Sequence, residues 1–89
     1  MGAPEKEEIL DLLFIKLNHK GLMPIEAIRF IKDAFNILEE DEHLSLDIIR
    51  QRLQDIGWDA HISDEQSLEL VRLLFTNLDK ELLDTFLLH

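Results

Sequence analysis

The chain has 89 residues and carries 19 acidic against 9 basic side chains, which gives a formal net charge of −10 at pH 7. This length predicts one domain, residues 1–89, with a small hydrophobic core. The negative charge repels nucleic acids and anionic membranes, so we expect neither as a partner. The chain has no cysteine, which excludes disulfides and fits a cytoplasmic location.

The hydrophobic residues make up 46% of the chain and are mostly Leu, Ile and Phe. Only three glycines and two prolines interrupt the sequence, and few segments alternate in the way that strands require. The fold class that this favours is all-α. We predict a compact bundle of four or five helices arranged as two antiparallel helix pairs.

The first predicted helix runs from about Pro4 to Lys20, because proline suits a first helical position. Gly21 then takes the left-handed conformation that ends many helices. Leu22 is placed to fold back onto Leu17, as in a Schellman ending.

The second predicted helix opens at Pro24 and runs to about Glu40, where the acidic segment "EEDEH" ends it. The third begins after Ser45, which is a good N-cap, and stops at Gly57.

The stretch "GWDAHISDE", residues 57–65, contains residue types that build active sites, but its pattern is that of a helix joint. Trp58 follows Gly57 at the position where a Schellman motif makes its hydrophobic contact, here with Leu53. Ser63 and Gln66 fit a capping box, so the next helix is expected from residue 64. Whether residues 64–88 form one helix, or two with a break near 76–79, stays open.

Each predicted helix has an apolar stripe at helical spacing, which we assign to the core. The core candidates are Ile9, Leu10, Leu13, Phe14, Leu17, Ile28, Phe30, Ile31, Ala34, Phe35, Ile37, Leu38, Leu46, Ile49, Leu53, Ile56, Leu68, Val71, Leu74, Phe75, Leu78, Leu82 and Phe86.

Seven further large apolar residues fall outside these stripes. Either the first helix is central and buried on all sides, or the chain has a second apolar surface for a homodimer or another protein. We favour the second interpretation, because seven such residues are many for so short a chain. The candidate partner interface comprises Leu12, Ile15, Ile48, Leu70, Leu73, Leu83 and Leu87.

No spacing in the sequence proposes catalysis. The chain has no Gly-rich phosphate loop and no His-Glu-x-x-His motif. The four histidines are scattered, and none forms an i, i+4 pair. We therefore expect no enzyme, no catalytic residues, no cofactor and no metal site.

The segment "FNILEEDEHLSLDIIRQRLQDIG", residues 35–57, loosely resembles one EF-hand. The resemblance implies a calcium or metal responder that would use Glu39, Glu40, Asp41 and Asp47. The loop is about two residues short, lacks the glycine, and has Ile48 where the bidentate Glu should stand.

The function that we predict is a non-enzymatic protein-protein interaction module that self-associates through the second apolar helix face. One alternative is a degenerate EF-hand-like domain. Another, resting on charge alone, is an acidic mimic or inhibitor that binds a basic protein surface.

Overall fold

Four α-helices form the part of the chain that the computed structural model describes, residues 6–77. They are α1 (Lys6–His19), α2 (Pro24–Glu40), α3 (Leu46–Asp55) and α4 (Glu65–Asn77). These residues include no strand, so the prediction of an all-α fold is confirmed. The core candidates at 78, 82 and 86, and the question of one helix or two after residue 77, lie outside the described residues.

The corner between α1 and α2 is a Schellman ending, as predicted. Gly21 has φ 96°, and the amide of Leu22 donates to the carbonyl of Leu17 at 3.1 Å. Leu22 and Leu17 are both buried, so the turn closes on an apolar contact. A few local residues therefore fix where α1 ends.

Short-range hydrogen bonds supply partners for backbone amides at the starts of α2 and α3. The carboxylate of Glu26 accepts from the amide of Met23 at 3.0 Å, which supplies a partner for an amide just before α2. The hydroxyl of Ser45 accepts from the amide of Ile48 at 3.3 Å, which confirms Ser45 as the N-cap of α3.

The start of α4 differs from the prediction. The side chain of Asp64, not of Ser63, accepts from the third amide of the helix, at Ser67, over 2.8 Å. Ser63 is fully buried instead, and the side-chain oxygen of Gln66 accepts a hydrogen bond from Lys16 rather than bonding the amide of the cap residue. A charged acceptor binds a helix-end amide more strongly than a hydroxyl, which favours Asp64 as the cap.

The core lies between α2 and α4, which pack against each other and against both α1 and α3. Most of the helix-borne core was predicted from the apolar stripes, whereas Ala27 on α2 and Ile62 in the connection before α4 were not. The fully or nearly fully buried apolar residues are Ile9, Leu10, Leu13, Leu17, Leu22, Ala27, Phe30, Ile31, Ala34, Phe35, Ile37, Leu38, Ile49, Leu53, Ile62, Leu68, Val71 and Leu74.

The assignment of Ile56 to the core is wrong, because its side chain is 58% exposed. Helix α3 ends at Asp55, and Ile56 has φ −100° and ψ 11°, outside the helical conformation. The helix therefore ends one residue before Ile56, whose side chain does not join the buried stripe. Four other predicted core residues are half-buried and pack against the core from its edge: Phe14, Ile28, Leu46 and Phe75.

None of the helices within residues 6–77 is both long and apolar enough to cross a membrane.

Candidate interaction surface

The unusual residues of the segment 57–65 are used to join α3 to α4 and to α2. Gly57 has φ 108°, and the amide of Trp58 donates to the carbonyl of Leu53 at 2.9 Å, as a Schellman ending requires. The indole of Trp58 meets Phe30 edge-on at 5.2 Å and donates to a carboxylate oxygen of Asp33 at 2.8 Å. The tryptophan is therefore a packing residue, as predicted.

A half-buried lysine, Lys20, links the end of α1 to the start of α4. Lys20 donates to the carboxylate of Asp64 at 2.6 Å and to the carbonyl of His61 at 2.7 Å. Burial raises the pKa of Asp64, but hydrogen bonds from Lys20 and Ser67 outweigh this effect and hold the pKa at about 2. Asp64 therefore acts both as a cap and as an ion-pair partner.

The acidic connection between α2 and α3 has the wrong length for an EF-hand. Only residues 41–45 separate the helices, whereas an EF-hand loop has twelve residues. Glu40 pairs with Arg52, and Asp47 lies 3.3 Å from Arg50. Within residues 6–77, no three His, Asp or Glu side chains come together in a way that could hold a metal ion.

The two interface candidates on α1 both lie on its outer side. Leu12 is 53% exposed and Ile15 is 55% exposed. The buried residues of α1, such as Leu13 and Leu17, occupy the opposite side at helical spacing. Helix α1 is therefore not buried on all sides, which removes one of the two interpretations of the surplus apolar residues.

Two candidates on α4 lie beside Leu12. Lys16 donates to Gln66 at 2.7 Å, and Lys20 reaches back to Asp64, so the two helices run side by side in opposite directions. Leu12 stands one turn before Lys16, while Leu70 and Leu73 stand one and two turns after Gln66. Leu70 is half-buried and Leu73 is 42% exposed. We call this line of leucines, Leu12, Leu70 and Leu73, the α1–α4 seam.

The remaining candidates do not join the seam in the described part of the chain. Ile48 is exposed, but it lies on α3, which packs mainly against α2 and α4 rather than against α1. Arg52 and Ile56 line a cleft beside the C-terminal half of α2. Ile48 stands one turn before Arg52 on α3. Leu83 and Leu87 lie outside the described residues.

An open groove of about 500 Å³ runs between α1 and the start of α2. Its apolar lining consists of Phe14, Ile15, Leu22, Pro24 and Ala27. Its polar lining consists of Asp11, Asn18 and His19. We call this feature the α1–α2 groove, and it shares Ile15 with the predicted interface.

Three exposed apolar residues were missed by the sequence reasoning. Met23 and Ile25 flank Pro24 at the start of α2 and are 62% and 73% exposed, and the third is Ile56. The sequence did indicate that Ile25 is exposed, because at helical spacing it lies opposite the apolar stripe that contains Phe30.

No protein-family model matches the chain, and neither do the curated proteins or the solved structures to which it was compared.

Proposed function

We propose that the protein is a non-enzymatic, cytoplasmic protein-interaction module that forms a homodimer through the α1–α4 seam. The observation that carries this proposal is the exposure of Leu12 and Leu73 on neighbouring helices whose inner sides are already buried. The same proposal includes the arrangement of the helices as two antiparallel pairs, which the two Schellman corners support by turning the chain sharply.

A twofold axis would place the seam of one copy against the same seam of the second. Fully burying one leucine stabilises a complex by about 1.5–3 kcal/mol. Because Leu12 and Leu73 are only about half exposed, two such residues from each copy contribute roughly 3–6 kcal/mol. Association costs about 4–15 kcal/mol, so these four side chains offset the cost only at its lower end, and the dimer that we propose is weak and concentration-dependent.

The test is absolute mass by light scattering across a concentration series. We expect the mass to rise from 10.5 kDa toward twice that value as the protein is concentrated. Leu12→Asp and Leu73→Asp should each keep the protein monomeric while leaving its helical circular dichroism unchanged. A mass that stays at one chain at every concentration contradicts the dimer.

Two control variants separate interface loss from unfolding. Leu13→Asp places a charge at a fully buried position and should unfold the chain. Ile48→Asp changes a residue as exposed as Leu73 on a helix away from the seam, so the dimer should persist. If Leu12→Asp unfolds the protein as Leu13→Asp does, Leu12 belongs to the core and the proposal fails.

A further inference from the structure

We infer that the α1–α2 groove binds an amphipathic helix of a basic partner protein. This surface is distinct from the seam proposed for the dimer, because the groove faces α2 whereas the seam faces α4. The groove follows α1 from Asp11 to Asn18, a length of about 10 Å at the helical rise. That length accommodates about two turns of a partner helix, with apolar residues at positions i, i+3 or i+4, and i+7.

The shape of the groove favours a helix over other ligands. Small molecules are usually held in clefts that bury most of their surface, and this groove is open along its length. An added strand needs an exposed sheet edge, and residues 6–77 contain no sheet. A proline-rich segment prefers a groove lined by several Trp, Tyr or Phe rings, and among the described residues of this lining Phe14 alone supplies one.

The charges around the groove specify a basic partner. No lysine or arginine is among the described residues that line it, whereas Asp11 is. Glu8 is exposed one turn before Asp11 on the same side of α1. The nearby lysines, Lys16 and Lys20, are directed toward α4, where they bind Gln66 and Asp64.

The net charge of the whole chain acts in the same direction. At −10, the protein attracts a cationic helix from a distance and repels an anionic one. An apolar floor with an acidic rim thus complements a helix that carries leucines on one face and Lys or Arg beside them.

The test uses two synthetic helical peptides with the same leucine spacing, one with lysine and the other with glutamate at every charged position. Binding is followed by the fluorescence anisotropy of labelled peptide, at protein concentrations below those at which light scattering detects a dimer. We expect saturable binding of the lysine peptide to one site, and none of the glutamate peptide.

Variants assign the binding to the groove. Ile15→Ser removes an exposed apolar side chain and should weaken binding of the lysine peptide about tenfold. Asp11→Asn should weaken it about threefold. Leu73→Ser, on the seam, should leave the affinity unchanged.

Three outcomes overturn the inference. One is the absence of saturable binding by the lysine peptide, and another is equal binding of the two peptides. The third is unchanged affinity in Ile15→Ser, which would place the peptide elsewhere on the acidic surface. Because Leu73→Ser affects the proposed dimer and not the groove, failure of one surface is distinguishable from failure of the other.

Discussion

At the scale of single residues, Asp64 connects two parts of the fold through one carboxylate. It caps α4, pairs with Lys20 at the end of α1, and has a pKa of about 2 in the folded protein against 3.8 for a free aspartate. A lowered folded pKa means that the stabilisation is present above pH 4 and is lost as the pH falls from about 4 to about 2. The side chain is 39% exposed, so solvent screening limits the contribution to about 1 kcal/mol.

We therefore predict that Asp64→Asn lowers the free energy of unfolding at pH 7 by about 1 kcal/mol, since asparagine still caps the helix but does not pair with Lys20. Asp64→Ala, which also loses the cap, should cost about 1 kcal/mol more. Urea titrations followed by circular dichroism at pH 7, 4 and 2 give these values. The difference between the wild type and Asp64→Asn should fall to a small fraction of its pH 7 value at pH 2.

The matched control is Glu69→Gln, which removes a carboxylate from the exposed side of the same helix. Its stability should follow that of the wild type at every pH. An equal loss of stability in Asp64→Asn and Glu69→Gln would mean that the contact with Lys20 does not determine the effect.

At the scale of the helices, the two left-handed glycines decide where α1 and α3 end. Gly21 and Gly57 have φ 96° and 108°, and a Cβ at either position would meet no atom within 4 Å. The cost of alanine there comes from backbone conformation alone, about 1–2 kcal/mol for each glycine. We predict losses of this size in the free energy of unfolding of Gly21→Ala and Gly57→Ala, measured by urea denaturation.

Asparagine tolerates the left-handed conformation better than alanine, so Gly57→Asn should retain more stability than Gly57→Ala. Were both substitutions equally costly, the loss would have to come from crowding, which the open space around the two glycines does not offer.

The helix boundaries show which features of this fold are readable from sequence. The endings at Gly21 and Gly57 depend on residues within one turn, so the pattern predicts them. The cap at Asp64 also depends on a distant residue, because Lys20, 44 positions away in the sequence, binds its carboxylate. Ile56 was misplaced for a related reason, since a stripe at helical spacing does not reveal that α3 has already ended.

The seam and the groove were predictable only in part. Surplus apolar residues such as Leu12 and Leu73 are visible in the sequence, but their neighbourhood depends on which helices pack together. The contact between Lys16 and Gln66, 50 positions apart, places Leu12 near Leu70 and one turn from Leu73, whereas Ile48 lies on α3, which packs mainly against α2 and α4. No local pattern carries that information.

At the scale of the whole molecule, the charge of −10 opposes the proposed dimer and favours the proposed basic partner. Two like-charged chains repel each other, and salt screens this repulsion, because the Debye length falls from about 30 Å at 0.01 M to about 3 Å at 1 M. Contacts between leucines are not weakened by sodium chloride. We therefore predict that the dimer strengthens several-fold as sodium chloride is raised, as measured by sedimentation equilibrium.

Binding of the lysine peptide should change in the opposite direction and weaken over the same salt series, because its attraction to the groove is partly electrostatic. Leu12→Asp provides the control for the dimer and should remain monomeric at every salt concentration. A dimer that dissociates as salt is added would be held by ion pairs instead of leucines, and the α1–α4 seam would then not be its interface. Opposite salt responses of the two complexes are expected only if the protein uses an apolar surface for itself and an acid-rimmed groove for its partner.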